Sequence, residues 1–324
     1  MKSFNEITQL VSAEMDKLDW SMKPAGLYEP IAYTLSMGGK RIRPALALMA
    51  CNLYTDNIEP VIAPALGIEV FHNFTLLHDD IMDRADIRRG RPTVHKRWDD
   101  NTAILSGDVM QIAAYQLIAQ APEKYLKAVL DLFSTTAREI CEGQQYDVDF
   151  ENRDEVAADE YIEMIRLKTA VLLACSLKTG AIIGGATAED ADELYDFGIN
   201  LGLAFQLKDD LLDVYGDEAT FGKKIGGDIL CNKKTYLLIH ALKLAKGADF
   251  EDLTKYLKKS YQQPEEKIKQ VTEMYNKLGV KKICEDKMSF FYEKAIANLE
   301  KVGVDTNKKQ ALRKLAEKLM SRND

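Results

Sequence analysis

The property of this chain that most restricts its fold is the period of its hydrophobic residues. Phe4, Ile7, Leu10, Val11, Met15 and Leu18 recur at the i, i+3, i+4, i+7 spacing of an amphipathic helix. The same pattern fills roughly 25–35, 41–54, 60–86, 100–119, 123–141, 156–182, 189–215, 233–246, 264–301 and 306–320. Strict apolar–polar alternation, the mark of a half-buried strand, is nearly absent, so the expected class is all-α. Segments 60–86 and 189–215 are apolar over much of their circumference, as buried central helices are. The last quarter, with Lys and Glu interleaved in YLKKSYQQPEEKIKQ, reads as an outer layer. No Ser/Gly-rich or Pro-rich linker interrupts the chain and no period repeats, so residues 1–324 read as a single domain. Gly216–Asn232, with four glycines and with Lys223 and Lys224, reads as a mobile basic loop after a helix end.

Charge narrows the possible partners. The formal net charge is −8, which argues against broad binding to nucleic acid or anionic lipid while allowing a local basic pocket. The five cysteines, Cys51, Cys141, Cys175, Cys231 and Cys284, are odd in number and show no CxxC spacing. That excludes a disulfide framework or a zinc knuckle and points to a reducing compartment. The first twenty residues lack the basic-then-apolar order of a signal peptide. The greasiest stretches, around 61–78 and 170–188, are interrupted by Glu69, His72 and Asn73 and by Lys178, so no transmembrane segment is expected and the expected location is the cytoplasm.

Much of the negative charge is gathered. Asp79-Asp80-Ile81-Met82-Asp83 ends an otherwise apolar helix, and on a helix Asp79 and Asp83 lie one turn apart, offset by only about 40°. Carboxylates this close repel one another, and an oxygen-seeking cation relieves the repulsion. Mg²⁺ suits the case because it takes one or two protein carboxylates and completes its octahedron with water and phosphate oxygens. By chance a DDxxD pattern arises on the order of 0.2 times in a chain of this composition, so one copy is a weak signal. Asp209-Asp210-Leu211-Leu212-Asp213 is a second copy, also late in an apolar helix. Two facing triads would clamp a polyanion through several metal ions.

Two basic motifs accompany the triads. Gly38-Gly39-Lys40-Arg41-Ile42-Arg43-Pro44 and Arg88-Arg89-Gly90-Arg91-Pro92 combine cations with glycines that admit close backbone approach. Arginine forks and lysine point charges are tools for phosphate oxygens. The GxxxxGKS spacing of a nucleotide P-loop is missing and no strand precedes GGKRIRP, which excludes kinase and ATPase readings of that type. Each basic motif alone is as compatible with a salt-bridged surface. Beside Mg²⁺-type carboxylates, a diphosphate site is the better reading.

Taken together, DDIMD…RRGRPTVH, GGKRIRP and FQLKDDLLD resemble the trans-isoprenyl diphosphate synthase (polyprenyl synthetase) family over about residues 30–240. The resemblance implies a bundle of antiparallel helices around a deep central cavity, a homodimer, and Mg²⁺ at about three ions per site. It implies that Lys40, Arg43, His72 and Arg89 hold isopentenyl diphosphate, and that Arg88, Lys168 and Lys223 bind the allylic diphosphate. Asp79, Asp80, Asp83, Asp209 and Asp213 would carry the metal, with Lys168, Thr169 and Gln206 beside the reacting carbons and Lys233 also matching. His95, Trp98, Gln144 and Asp147 fall in family-like surroundings, but packing accounts for them equally well. The implied reaction is head-to-tail condensation, with pyrophosphate release assisted by positive charge and the released pyrophosphate taking the final proton. Phe74, five residues before Asp79 and about 7.5 Å along the helix, with the small Thr75 beside it, resembles the chain-length position of archaeal-type geranylgeranyl synthases. A C20 product is expected, with C15 next. A terpene cyclase would replace the second triad and has no need of GGKRIRP. A non-catalytic regulatory subunit would have lost a triad.

Overall fold

The computed structural model describes residues 2–216, 225–258 and 264–321. The described residues are overwhelmingly helical. In chain order the helices are α1 (Phe4–Met15), α2 (Ala25–Ser36), α3 (Ile42–Asn52), α4 (Glu59–Met82), α5 (Val94–Arg97), α6 (Asp100–Ile118), α7 (Glu123–Glu151), α8 (Ala158–Ile165), α9 (Val171–Gly184) and α10 (Ala188–Tyr215). A short turn follows at Gly227–Leu230, then helices at Tyr236–Leu244, Ala248–Lys258, Pro264–Leu278, Val280–Lys301 and Thr306–Met320. α1 shows how local chemistry sets such an element. Ser3 and Glu6 form a reciprocal capping box, and Ile7, Val11 and Met15 are the residues it buries.

Several boundaries differ from the periodic reading, each for a local reason. Segment 60–86 stops at Met82, and a two-stranded antiparallel hairpin, β1 (Ile87–Arg88) and β2 (Arg91–Pro92), follows it. Its turn residues Arg89 (φ 51°) and Gly90 (φ 74°) are both left-handed, the geometry of a type I′ turn, and strands this short leave no alternation to read. α7 continues to Glu151 rather than ending near 141. Segment 264–301 is two helices, because Gly279 at φ 69° breaks it. Between α8 and α9, residues Arg166–Ala170 form a π-helical segment. The Gly216–Asn232 loop contains the helical turn Gly227–Leu230; its Lys223 and Lys224 lie outside the described residues.

Contacts group the chain into two compact units, each assembled from separate stretches of sequence. The first comprises Met1–Ser134, Cys175–Leu194 and Val302–Leu312. Within it α4 packs along α6 and α3, and Phe71, Phe74, Tyr115 and Phe133 form an aromatic cluster in which Phe133 meets Phe71 and Tyr115 edge-to-face. The second comprises Thr135–Ala174, Tyr195–Lys301 and Arg313–Asp324. Its core gathers Tyr161, Met164, Leu207, Leu211, Leu237, Leu253, Val271, Tyr275 and Cys284. Two helical stretches, Glu59–Met82 and Ala158–Gly184, are long and apolar enough to cross a membrane by length and composition, where the sequence reading found none. Their apolar windows are 67% and 72% buried inside the protein, the pattern of core helices. The outer-layer reading of the last quarter also fails at Lys267, in the middle of EEKIK, which is only 3% exposed, and at Lys309, 5% exposed.

Candidate active site

Each aspartate triad lies at the end of a long helix, in one case per unit. Asp79 and Asp80 occupy the last turn of α4 and Asp83 is its C-cap; Asp209, Asp210 and Asp213 occupy the last two turns of α10. A helix C-terminus already carries partial negative charge, and neither last turn contains a basic residue. Carboxylates concentrated there are costly unless cations come from elsewhere. α4 then ends in a Schellman motif, with the Arg84 amide donating to the Ile81 carbonyl (3.2 Å) and the Ala85 amide to the Asp80 carbonyl (2.9 Å). Arg84 accepts a left-handed φ of 51° to make it. Thr93, fully buried, donates its hydroxyl to the Ala85 carbonyl at 2.7 Å and ties the hairpin back to the helix end.

The hairpin returns Arg88 to the first triad. Its Nε donates to both Asp80 oxygens at 2.8 Å, and its Nη2 lies 2.8 Å from Asp80 and 3.6 Å from Asp79. Asp80 is buried, and burial raises its carboxyl pKa while Arg88 pulls the other way. Asp80 is therefore engaged by Arg88 on both oxygens, whereas Asp83 is exposed to solvent.

The glycine–lysine–arginine motif behaves differently at each position. Arg41, at φ 50°, turns inward: its Nη1 donates to Glu69 Oε1 at 2.7 Å and its Nη2 to the Leu35 carbonyl at 3.0 Å. Asn73 donates to Glu69 as well, at 3.3 Å. Lys40 stays exposed. Arg43 Nη1 is 3.2 Å from His72 Nε2, and the Arg43 Nε is buried without a partner. Burial lowers the Arg43 pKa to about 10. Burial, and then Arg43, Arg89, Arg88 and Arg41, hold His72 well below the ordinary histidine range, so its ring is neutral at pH 7 and its Nε2 accepts from Arg43. Arg89 donates to the Gly38 carbonyl, and Gly39 beside its guanidinium adopts φ 147°, a conformation that favours glycine. Thr34, Asn73, Leu77, Asp80, Arg88 and Arg89 line a small pocket in this unit.

In the second unit, the π-helical segment carries Lys168 and Thr169. π-bulges of this kind concentrate at functional sites. Two glycines allow neighbours to approach it: a Cβ at Gly143 would strike the Lys168 amide, and one at Gly202 would come within 2.6 Å of Ala170 Cα. Lys168 Nζ donates to Asp147 at 2.6 Å, and Lys233 Nζ is 3.8 Å from the same oxygen. Burial acts to raise the Asp147 pKa, but Lys233 and Lys168 outweigh it and hold the carboxyl below its usual range. The Thr169 hydroxyl donates to Gln206 at 3.4 Å and Gln206 donates to Asp210 at 3.4 Å, while Tyr161 donates to Asp210 at 2.5 Å. Asp210 is sealed from water, and burial followed by the nearby Asp228 pushes its pKa up to about 8. Asp213 accepts from the Asp228 amide at 3.1 Å.

Within the first unit Arg43, His72, Arg88 and Arg89 lie with the first triad, and within the second Lys168, Thr169, Gln206 and Lys233 lie with the second. Lys223 lies outside the described residues. Among the described residues no three His, Cys, Asp or Glu side chains come together as a metal-binding cluster.

The polyprenyl synthetase family profile matches residues 24–278. The chain belongs to the polyprenyl synthetase family. It is 43% identical over 234 residues to a geranylgeranyl diphosphate synthase of Methanosarcina mazei, covering 71% of this chain and 72% of that one. It is 42% identical over 250 residues to a geranylfarnesyl diphosphate synthase of Natronomonas pharaonis, covering 71% and 72%. A crystal structure of a geranylgeranyl pyrophosphate synthase is similar over 100% of both chains at a TM-score of 0.95 and 43% identity. The all-α isoprenoid synthase fold is therefore the fold of this family member. Sequence reasoning left Asp147 undecided and did not single out Glu69 or Tyr161 as partners of site residues. The one available signal was Glu69 itself, a carboxylate inside a largely apolar run.

Proposed function

We propose that this chain is a Mg²⁺-dependent trans-prenyltransferase that joins isopentenyl diphosphate head-to-tail to an allylic diphosphate, with geranylgeranyl diphosphate as product. The observation carrying this reading is that both triads end helices whose C-termini need added positive charge, and that each is met by its own phosphate-binding set. Lys40, Arg43, Arg89 and neutral His72 hold isopentenyl diphosphate. Arg88 and Lys168, with Lys223, bind the allylic diphosphate, and Lys233 adds charge beside Asp147. Asp79, Asp83, Asp209 and Asp213 suit about three Mg²⁺ ions, which when bound supply positive charge to the departing pyrophosphate. Asp80, closed by Arg88, holds that arginine in place. The C–O bond of the allylic substrate breaks, the isopentenyl double bond attacks the exposed carbon, and pyrophosphate accepts the proton lost. Holding both substrates in register removes the entropy cost of a bimolecular step. Release of pyrophosphate, measured with isopentenyl diphosphate and C5, C10 or C15 primers with and without Mg²⁺, tests the reading. No turnover with any primer overturns it in favour of a regulatory subunit.

Product length is assigned to Phe74. Its ring is 8% exposed, 5.3 Å from the ring of Phe71 and 4.8 Å from that of His78. Thr75 beside it donates to the His72 carbonyl at 2.8 Å. Phe74→Ala is expected to shift products beyond C20 while costing about 3–5 kcal/mol of stability. Chromatography of dephosphorylated products checks this, and unchanged lengths remove Phe74 as the determinant. The reading includes a cytoplasmic homodimer. Leu105 and Ile112, 57% and 58% exposed and two turns apart on α6, are assigned to the second copy. A monomer at micromolar concentration by analytical ultracentrifugation would refute the dimer.

A further inference from the structure

We infer that Lys267, remote in sequence from every motif, is a positioning residue that sets the Asp228–Lys233 turn and through it the allylic and metal side of the site; this rests on the prenyltransferase reading. The helical turn Gly227–Leu230 ends in a Schellman motif. The Asn232 amide donates to the Ile229 carbonyl at 3.2 Å, and the Lys233 amide donates back to the Asp228 carbonyl at 2.9 Å. This geometry demands a left-handed residue at 232, and Asn232 adopts φ 55°. Among the described residues the other non-glycines with positive φ are Arg41, paired with Glu69, and Arg84 and Arg89, which follow the first triad. Strain of this kind persists only where the surroundings hold it.

Three hydrogen bonds hold Asn232 and its turn. Asn232 Nδ2 donates to the Leu257 carbonyl at 3.0 Å. Lys267 Nζ donates to Asn232 Oδ1 at 2.6 Å and to the Leu230 carbonyl, at the end of the turn, at 3.2 Å. At 3% exposure the ammonium is sealed from water, a desolvation cost that these bonds offset. The neighbouring Ile268 presses on the other end of the turn, where a Cβ at Gly226 would meet it at 2.6 Å. The turn hands this order to the site at two points. The Asp228 and Gly226 amides donate to the Asp213 side chain and carbonyl at 3.1 and 2.6 Å, and Lys233 faces the Asp147 carboxylate that also holds Lys168. A displaced residue 232 would move a second-triad contact and a diphosphate lysine together.

The test uses the full chain and two variants, Lys267→Met, which keeps the aliphatic stem, and Asn232→Gly, which keeps the left-handed backbone and removes the clamped side chain. Each is expected to raise the half-saturating Mg²⁺ concentration and the allylic KM roughly tenfold, the scale of a lost supporting contact, and to leave the isopentenyl KM within about twofold. The rise in Tm on adding Mg²⁺ with inorganic pyrophosphate should shrink in both, and the double variant should be no worse than either single one. A lower Tm with the Mg²⁺ response and the KM ratio unchanged makes Lys267 a stability residue only and overturns the inference. Absence of prenyl transfer in the unaltered protein overturns the prenyltransferase reading instead, and the pyrophosphate-dependent Tm still reads the turn.

Discussion

Asp79→Ala is expected to lower kcat for prenyl transfer roughly a hundred- to a thousandfold, the loss measured when one preorganised electrostatic stabiliser is removed from a developing charge. The carboxylate sits in the last turn of α4, at 18% side-chain exposure and 3.6 Å from Arg88. Alanine favours the helix and relieves repulsion with Asp80, so stability should hold or rise while activity falls. That opposition separates a functional carboxylate from a structural one. Asp80→Asn should behave differently, because the Asp80 oxygens engage Arg88. Its effect should appear first in the KM for the allylic substrate, as Arg88 loses its seat. Steady-state kinetics with a Mg²⁺ titration check both variants. Asp79→Ala activity within tenfold of the unaltered protein would remove Asp79 from the metal site.

Glu69→Ala is expected to cost about 3–5 kcal/mol, because it strands the Arg41 guanidinium in the interior. The two side chains are 3% and 9% exposed and meet at 2.7 Å. Arg41 also lies in the left-handed region, so without its partner the turn that carries Lys40 and leads into α3 loses the contact that holds its shape. A double change, Glu69→Leu with Arg41→Met, removes both charges together and should recover most of the loss, since hydrophobic replacement of a buried pair is often neutral. Urea midpoints at unchanged m-value measure this directly. A single-variant loss under 1 kcal/mol would mean that water reaches the pair and that it does not organise the loop.

These two cases show where sequence reading reached and where it stopped. Asp79 and Asp83 could be paired from spacing alone, because one helical turn fixes their separation. By charge and spacing alone Arg41 is no different from Arg43, its neighbour two residues on, and only the family resemblance set them apart, although one turns inward to Glu69 and the other approaches His72. The same limit applied to Asp147, which packing explained equally well until the structure brought Lys168 and Lys233 to it. Lys267 was misread for the same reason: the charged residues around it in sequence, Glu265, Glu266 and Lys269, are exposed, while its partners are Leu230 and Asn232.

The sequence by itself determined the helical class, the placement of both aspartate triads at helix ends, and the family. All of these follow from period, spacing and short motifs, which are local properties of the chain. The tertiary structure decided which charges face a ligand and which face each other. Arg88 closes on Asp80, Arg41 on Glu69, Lys168 on Asp147 and Lys267 on Asn232, across separations of 8, 28, 21 and 35 residues. A charge acquires its role from what lies within a few ångströms of it after folding, and at these separations only the path of the backbone brings the partners together.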